Sequence, residues 1–324
     1  MEYEAPSMTD SKHLGKPQKD METHNDNSTC SLCPRSCHKN EKGMGYCGSG
    51  NEAEVASICL HKGEEPVLSG KKGICNVFFS HCNLQCIYCQ NVDISRNNIA
   101  KAQPYNSINQ VVDRIEEVLE TSENVVGFVS PSHRWHFIIP IMDELHRRGR
   151  KPTVVYNTNC YDTIDTLKAL ENYIDVYLPD FKYTDPLLAQ RYSQAKDYPT
   201  VAEKALKEMY RQKGSTLITD DNEIAISGLI VRHLILPGCT HNSIEVLNTL
   251  ADISTNINMS LMSQYFPLEG TPLPDELGRH ITQEEYDQVV KHFYDLGFHR
   301  GWVQDLDLTN TYKPHFEQME AFEQ

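Results

Sequence analysis

Val77-Phe78-Phe79-Ser80-His81-Cys82-Asn83-Leu84-Gln85-Cys86-Ile87-Tyr88-Cys89 is the stretch on which the reading of this chain turns. Residues 77–80 make a short apolar strand candidate, and three cysteines follow it directly at the spacing C-x3-C-x2-C. A 4Fe–4S cluster has four irons, so three thiolates leave one iron free to chelate a ligand. One short loop wraps three corners of such a cube only if its cysteines lie a few residues apart. A zinc site is the plain alternative, with His81 as a nominal fourth ligand, but structural zinc wants four ligands and the triplet supplies three.

Downstream of the triplet, apolar segments alternate with amphipathic ones. Further strand candidates lie at 125–129, 153–156, 174–178, 229–236 and 259–266. Ile108, Val111, Val112, Ile115, Val118 and Leu119 recur at helical spacing behind Ser107, which is placed as an N-cap. A second helix is expected over 138–148, ending at Gly149, and others over 161–172, 201–211, 243–253 and 283–296. Strand–helix alternation over this length implies parallel strands joined by helical crossovers. About six such units, with no Gly-x-Gly-x-x-Gly after the first strand, favour a full or partial (β/α) barrel over an open doubly wound sheet. In a barrel the loop after a strand sits at the C-terminal face, where active sites are built.

The chain has 324 residues and a formal charge of −15, with hydrophobic residues at 39% and charged residues at 23%. That composition is globular, and the negative balance argues against nucleic acid as a partner, since phosphates are bound by Lys and Arg. No apolar run approaches the roughly 18–20 residues of a membrane-spanning helix. Residues 1–29 carry charges and no apolar h-region, and read as a polar, disordered leader. Of the eleven cysteines, nine fall between Cys30 and Cys89, and only Cys160 and Cys239 come later. In a reducing cytoplasm, the expected location, clustered thiols mean metal or catalysis rather than disulfides.

The first of those clusters is Cys30-x2-Cys33-x3-Cys37-x9-Cys47, set among Pro34, Gly43, Gly45, Gly48 and Gly50. A segment of this length cannot bury enough apolar surface to fold alone, so a staple is expected. Zinc is one reading of the four soft ligands and a second iron–sulfur cluster is the other. The expected organisation is a leader over 1–29, a cysteine-rich module over 30–70, a barrel over 71–305 and a tail over 306–324. Cys59, Cys75 and the group His61, Glu64 and Glu65 receive no role.

Cys82 to Asn91, with Tyr88 before the third cysteine and Gln90-Asn91 after it, resembles the signature of radical S-adenosylmethionine (SAM) enzymes related to pyruvate formate-lyase activating enzyme, in particular their PflX-type branch. Further blocks carry the likeness: Glu64-Glu65-Pro66, Val129-Ser130-Pro131-Ser132-His133, Tyr156-Asn157-Thr158, Leu178-Pro179-Asp180-Phe181-Lys182-Tyr183, Val231-Arg232-His233 and Gln264-Tyr265-Phe266-Pro267. The resemblance implies a partial (β/α)6 TIM-like radical SAM barrel, a 4Fe–4S cluster on Cys82, Cys86 and Cys89, and SAM bound at the open iron. It implies that Asp180 and Lys182 face SAM, that Arg232 holds its carboxylate, and that His133, Asn157 and Tyr88 line the cavity, with Gln264 and Tyr265 on the substrate side. Where many radical SAM enzymes carry a Gly-Gly-Glu-Pro-like stretch, this chain has Val129 to His133 instead.

The implied activity is hydrogen abstraction by a 5′-deoxyadenosyl radical, with the glycine of a glycyl radical enzyme as the implied protein substrate and flavodoxin or ferredoxin as the reductant. Two alternatives stand beside it. One is a non-catalytic iron–sulfur or zinc-binding electron-transfer protein. The other is a radical SAM enzyme that modifies a peptide or small metabolite.

Overall fold

The computed structural model describes residues 29–40, 43–98, 105, 107–306, 314, 316 and 321. Apart from Thr29, the leader expected over 1–29 lies outside the described residues, as does most of the tail expected over 306–324.

The strands are β1 (Val55–His61), β2 (Ile74–Phe79), β3 (Val125–Val129), β4 (Thr153–Thr158), β5 (Val176–Pro179), β6 (Ile218–Thr219), β7 (Ala225–Leu234), β8 (Asn258–Met262) and β9 (Gly301–Val303). They lie in the order β1-β2-β3-β4-β5-β7-β8-β9, with β6 paired off the path against β7. Strands β2, β3, β4, β5, β7, β8 and β9 pair in parallel, while β1 runs antiparallel to β2. Six strand–helix units therefore precede the last strand, as the alternation predicts. The sheet curls without closing, since β1 and β9 occupy its two ends.

The helices are α1 (Pro66–Ser69), α2 (Val92–Ser95), α3 (Ile108–Leu119), α4 (Ile138–Arg147), α5 (Ile164–Leu170), α6 (Pro186–Ser193), α7 (Tyr198–Lys213), α8 (Thr240–Ile253) and α9 (Gln283–Asp295). Helix α3 starts where its sequence says it must, with the Ser107 side chain accepting from the Gln110 N–H. The expected 161–172 helix is shorter, because the Thr163 side chain accepts from Thr166 and caps the helix there. The strand expected over 259–266 stops at Met262, where Ser263 turns its N–H to Gln304 Oε1 at 2.9 Å and its hydroxyl to the Asp305 carbonyl at 2.7 Å.

Side chains on a strand alternate between faces, and that rule sorts the sheet into two layers. One set packs under the helices, including Val77, Phe79, Val126, Phe128, Val154 and Tyr156. The other set faces the inside of the curl, where Ile74, Val125, Val155, Val176 and Ile230 form a small apolar core plugged by Leu68 of α1. Further along β4, β5 and β7 the same inner face turns polar, with Asn157, Asp180 and Arg232 above that plug. The C-terminal mouth of the barrel is therefore polar and its base is apolar.

Candidate active site

The C-terminal strand ends enclose a cleft of about 1160 Å³ that opens to solvent. Its walls include Cys82, Cys86, Tyr88 and Cys89 from the loop after β2, and Ser130 after β3. Asn157 and Asn159 come from the end of β4, Asp180 and Lys182 from that of β5, Arg232 and Leu234 from β7, and Met262 and Gln264 from β8. Thus Cys82, Cys86, Cys89, Tyr88, Asn157, Asp180, Lys182, Arg232 and Gln264, all singled out in the sequence, meet in one place.

The cysteine loop is held in shape by its neighbours. Gln85 sits in the left-handed region with φ 59°. Its side chain pairs with Asn97, donating to Oδ1 at 2.9 Å and accepting from the backbone N–H at 3.0 Å. Asn97 in turn accepts from the Cys82 N–H and donates to the Cys82 carbonyl, both at 3.1 Å. Each of the three sulfurs meets a hydrogen-bond donor. Cys82 Sγ accepts from the Leu84 N–H at 3.4 Å and the Asn159 amide at 3.5 Å. Cys86 Sγ accepts from the Ser193 hydroxyl at 3.0 Å, and Cys89 Sγ from the Ser95 hydroxyl at 3.4 Å. Burial pushes the Cys86 thiol up to about 12 and raises Cys82 as well. Lys182 is the cation that opposes the shift at Cys86. Such sulfurs need a positive metal centre to become thiolates, and the donors around them suit ligated thiolate.

Opposite the loop lies a charged floor. Arg232 donates from Nε to Asp180 Oδ1 at 2.7 Å, from Nη1 to Glu64 Oε2 at 3.1 Å and from Nη2 to Asn157 Oδ1 at 2.7 Å. Glu65 lies 3.9 Å from the same guanidinium. Lys182 donates to the other Asp180 oxygen at 2.8 Å. Burial alone would raise Asp180, but Arg232 and Lys182 outweigh it and hold the carboxyl at about 2. Tyr198 of α7 braces this turn, its hydroxyl donating to the Asp180 carbonyl at 2.8 Å and accepting from the Lys182 N–H at 3.0 Å. For Glu65 the balance runs the other way, with burial raising its carboxyl to about 7 despite Arg232.

Two residues lie elsewhere than the sequence reading put them. His133 does not line the cleft; it is buried behind β2, where its Nε2 donates to the Ser80 carbonyl at 2.9 Å. Tyr265 is buried as well, its hydroxyl donating to the Leu277 carbonyl at 2.6 Å. Conversely, His61 and Glu64, left without a role, line the cleft. Asn159 and Ser193 were missed too. Nothing in their local pattern marks them, since their contacts with the sulfurs join residues 77 and 107 positions apart.

No protein-family model matches the chain. An uncharacterized protein of Methanocaldococcus jannaschii is 28% identical over 271 residues, which cover 81% of this chain and 73% of that protein. Among solved structures, HydG, a maturase of the FeFe-hydrogenase, is similar at TM-score 0.51 and 10% identity over 74% of this chain and 53% of that chain. The fold shared with it is a partial (β/α) barrel. SuiB of Streptococcus suis, solved bound to S-adenosylmethionine, is similar at TM-score 0.46 and 12% identity over 69% of this chain and 48% of that chain. The chain spans about half the length of these two solved structures. The loop after β2, the first parallel strand, carries Cys82, Cys86 and Cys89 to the cleft.

Proposed function

We propose that this chain is a radical SAM enzyme that abstracts hydrogen from its substrate. The observation that carries the reading is the meeting of three donor-solvated cysteine sulfurs and a mixed-charge floor in one cleft. Cys82, Cys86 and Cys89 fit three corners of a 4Fe–4S cluster, because each sulfur already meets an N–H or O–H donor and none is paired with another thiol in a disulfide. SAM carries an ammonium and a carboxylate, and the floor offers both signs, with Glu64 and Asp180 beside Arg232 and Lys182. When bound, the cluster supplies one electron that cleaves SAM to methionine and a 5′-deoxyadenosyl radical.

The chain's own residues do the rest. Lys182 keeps positive charge near Cys86, and the Asp180 bridge fixes its direction. Leu234 and Met262 give the cleft apolar wall on the far side. The resemblance to pyruvate formate-lyase activating enzyme supports a glycine of a glycyl radical enzyme as the hydrogen donor.

Anaerobically reconstituted protein given dithionite and SAM is expected to release 5′-deoxyadenosine, and Cys86→Ala to release none. An intact 4Fe–4S spectrum with no 5′-deoxyadenosine sinks the reading. For the substrate, mixing with a glycyl radical enzyme is expected to give a glycyl radical EPR signal.

A further inference from the structure

Arg35 stands outside the barrel, in the cysteine-rich segment, yet it binds the backbone on which two of the three cleft sulfurs depend. Its guanidinium meets carbonyls from two separate elements. Toward the cysteine loop, Nε donates to the Asn83 carbonyl at 2.7 Å and Nη2 to the Leu84 carbonyl at 3.5 Å. Toward the end of α6, Nη2 donates to the Ser193 carbonyl at 3.0 Å and Nη1 to the Gln194 carbonyl. The last carbonyls of a helix have no intrahelical partner and carry the negative end of its dipole, so a cation suits them. A planar fork of five donors holds several carbonyls at once in fixed directions, which a compact ammonium does not.

The fork is itself held in place. It lies 4.0 Å over the Tyr46 ring and 5.5 Å from the ring centre of Tyr161. Tyr46 is tied down in turn, its hydroxyl donating to Gln194 Oε1 at 3.1 Å and its carbonyl accepting from Asn97 at 2.9 Å. Three residues before Arg35, the Leu32 carbonyl accepts from the Trp135 indole at 3.0 Å.

The carbonyls that Arg35 binds lead directly to the sulfurs. The Asn83 carbonyl and the Leu84 N–H belong to one peptide group, and that N–H donates to Cys82 Sγ at 3.4 Å. A planar peptide cannot turn its carbonyl without turning its N–H. The bond from Arg35 therefore fixes the direction of the donor on Cys82. Ser193 carries both groups itself, its carbonyl on Arg35 and its hydroxyl donating to Cys86 Sγ at 3.0 Å. Both Asn83 and Ser193 are fully buried. Cys89 is served differently, by the hydroxyl of Ser95, whose carbonyl accepts from Gln85 rather than from Arg35.

We infer that Arg35 is a positioning residue: it sets the hydrogen bonds on Cys82 Sγ and Cys86 Sγ, and through them raises the reduction potential of the cluster that these sulfurs hold. Reduction adds negative charge, and donors on the sulfurs favour the more negative state. The inference rests on the radical SAM reading for the presence of the cluster.

The test is an EPR-monitored reductive titration of the full chain, assembled anaerobically and without SAM or substrate. At a fixed potential, Arg35→Gln is expected to lower the ratio of reduced to oxidised cluster at least tenfold, about 59 mV for one electron. Arg35→Lys keeps the charge without the fork and is expected to fall too, by less. It carries the measurement if Arg35→Gln takes up no cluster. Ser193→Ala is expected to lower the ratio and to shrink the effect of a further Arg35 substitution, because one of the two donors that Arg35 holds is then gone. Ser95→Ala, at the third sulfur, is expected to add its effect in full. An unchanged potential in either Arg35 variant with its cluster intact overturns the proposal, and so does full additivity with Ser193→Ala. Failure of the radical SAM reading looks different: the potentials then move as described, while SAM and dithionite yield no 5′-deoxyadenosine.

Discussion

Arg232 shows how one side chain ties the floor of the cleft together. Its guanidinium faces Asp180, Glu64 and Glu65, and Lys182 reaches only the first of these. Removing one member of a buried ion-pair group costs about 3–5 kcal/mol, since the partners keep their desolvation cost and lose their counter-charge. Arg232→Met is therefore expected to lose about that much stability in chemical denaturation and to weaken the SAM-induced change in the cluster EPR at least tenfold. Arg232→Lys, which keeps the charge but not the fork, is expected to recover stability more than SAM response. A Met variant as stable as the parent would show that the floor is solvated rather than paired. The position of Arg232 was legible, as a charge inside an apolar strand needs a partner. The identity of that partner was not. Glu64, in the turn that follows β1, reaches it across 168 positions of sequence.

At the scale of elements, the sequence spoke most clearly where one local rule was enough. Ser107 at an N-cap and Gly149 after α4 each mark a boundary by a single side-chain or backbone preference. Strand β1 was missed because Val55–His61 lies within the cysteine-rich stretch and pairs antiparallel at the sheet edge, outside the repeating strand–helix pattern. Helix α6 was missed for a different reason: eight residues with one exposed apolar side chain, Leu187, leave little periodicity to read. Helix α9 offers a local test. Thr282 accepts from the Glu285 N–H at 3.2 Å, and Glu285 returns the bond by accepting from the Thr282 N–H at 2.9 Å. Thr282→Ala breaks this reciprocal cap and is expected to cost about 1 kcal/mol, read as a shift in the denaturation midpoint at constant slope. Because Thr282 does not line the cleft, the ratio of 5′-deoxyadenosine to protein is expected to stay at the parent value.

Over the whole molecule, stability should depend on pH through its buried imidazoles. Burial lowers His133 from 6.5 to about 3, and lowers His61 and His233 to about 4. His233 uses both nitrogens in its neutral form, Nδ1 donating to the Phe181 carbonyl at 2.8 Å and Nε2 accepting from the Ser243 hydroxyl at 2.9 Å. These groups bind their proton in the unfolded chain first, so their contribution is whole above about 6.5 and erodes as pH falls toward 4. By pH 5 that is on the order of 2 kcal/mol for each buried histidine, as an upper figure. Glu65 works in the opposite sense, because its carboxyl is raised to about 7 and folding takes up its proton as pH falls below that value. Asp180 is held at about 2 and its contribution is lost only below the ordinary 3.8. Three histidines against one glutamate leave a net loss between pH 7.5 and pH 5. Anaerobic calorimetry of the cluster-loaded protein is expected to show Tm falling by several degrees over that range, and His233→Gln is expected to flatten the slope. A Tm that is flat or rising toward pH 5 would mean that Glu65 dominates, and Glu65→Gln would then reverse the trend.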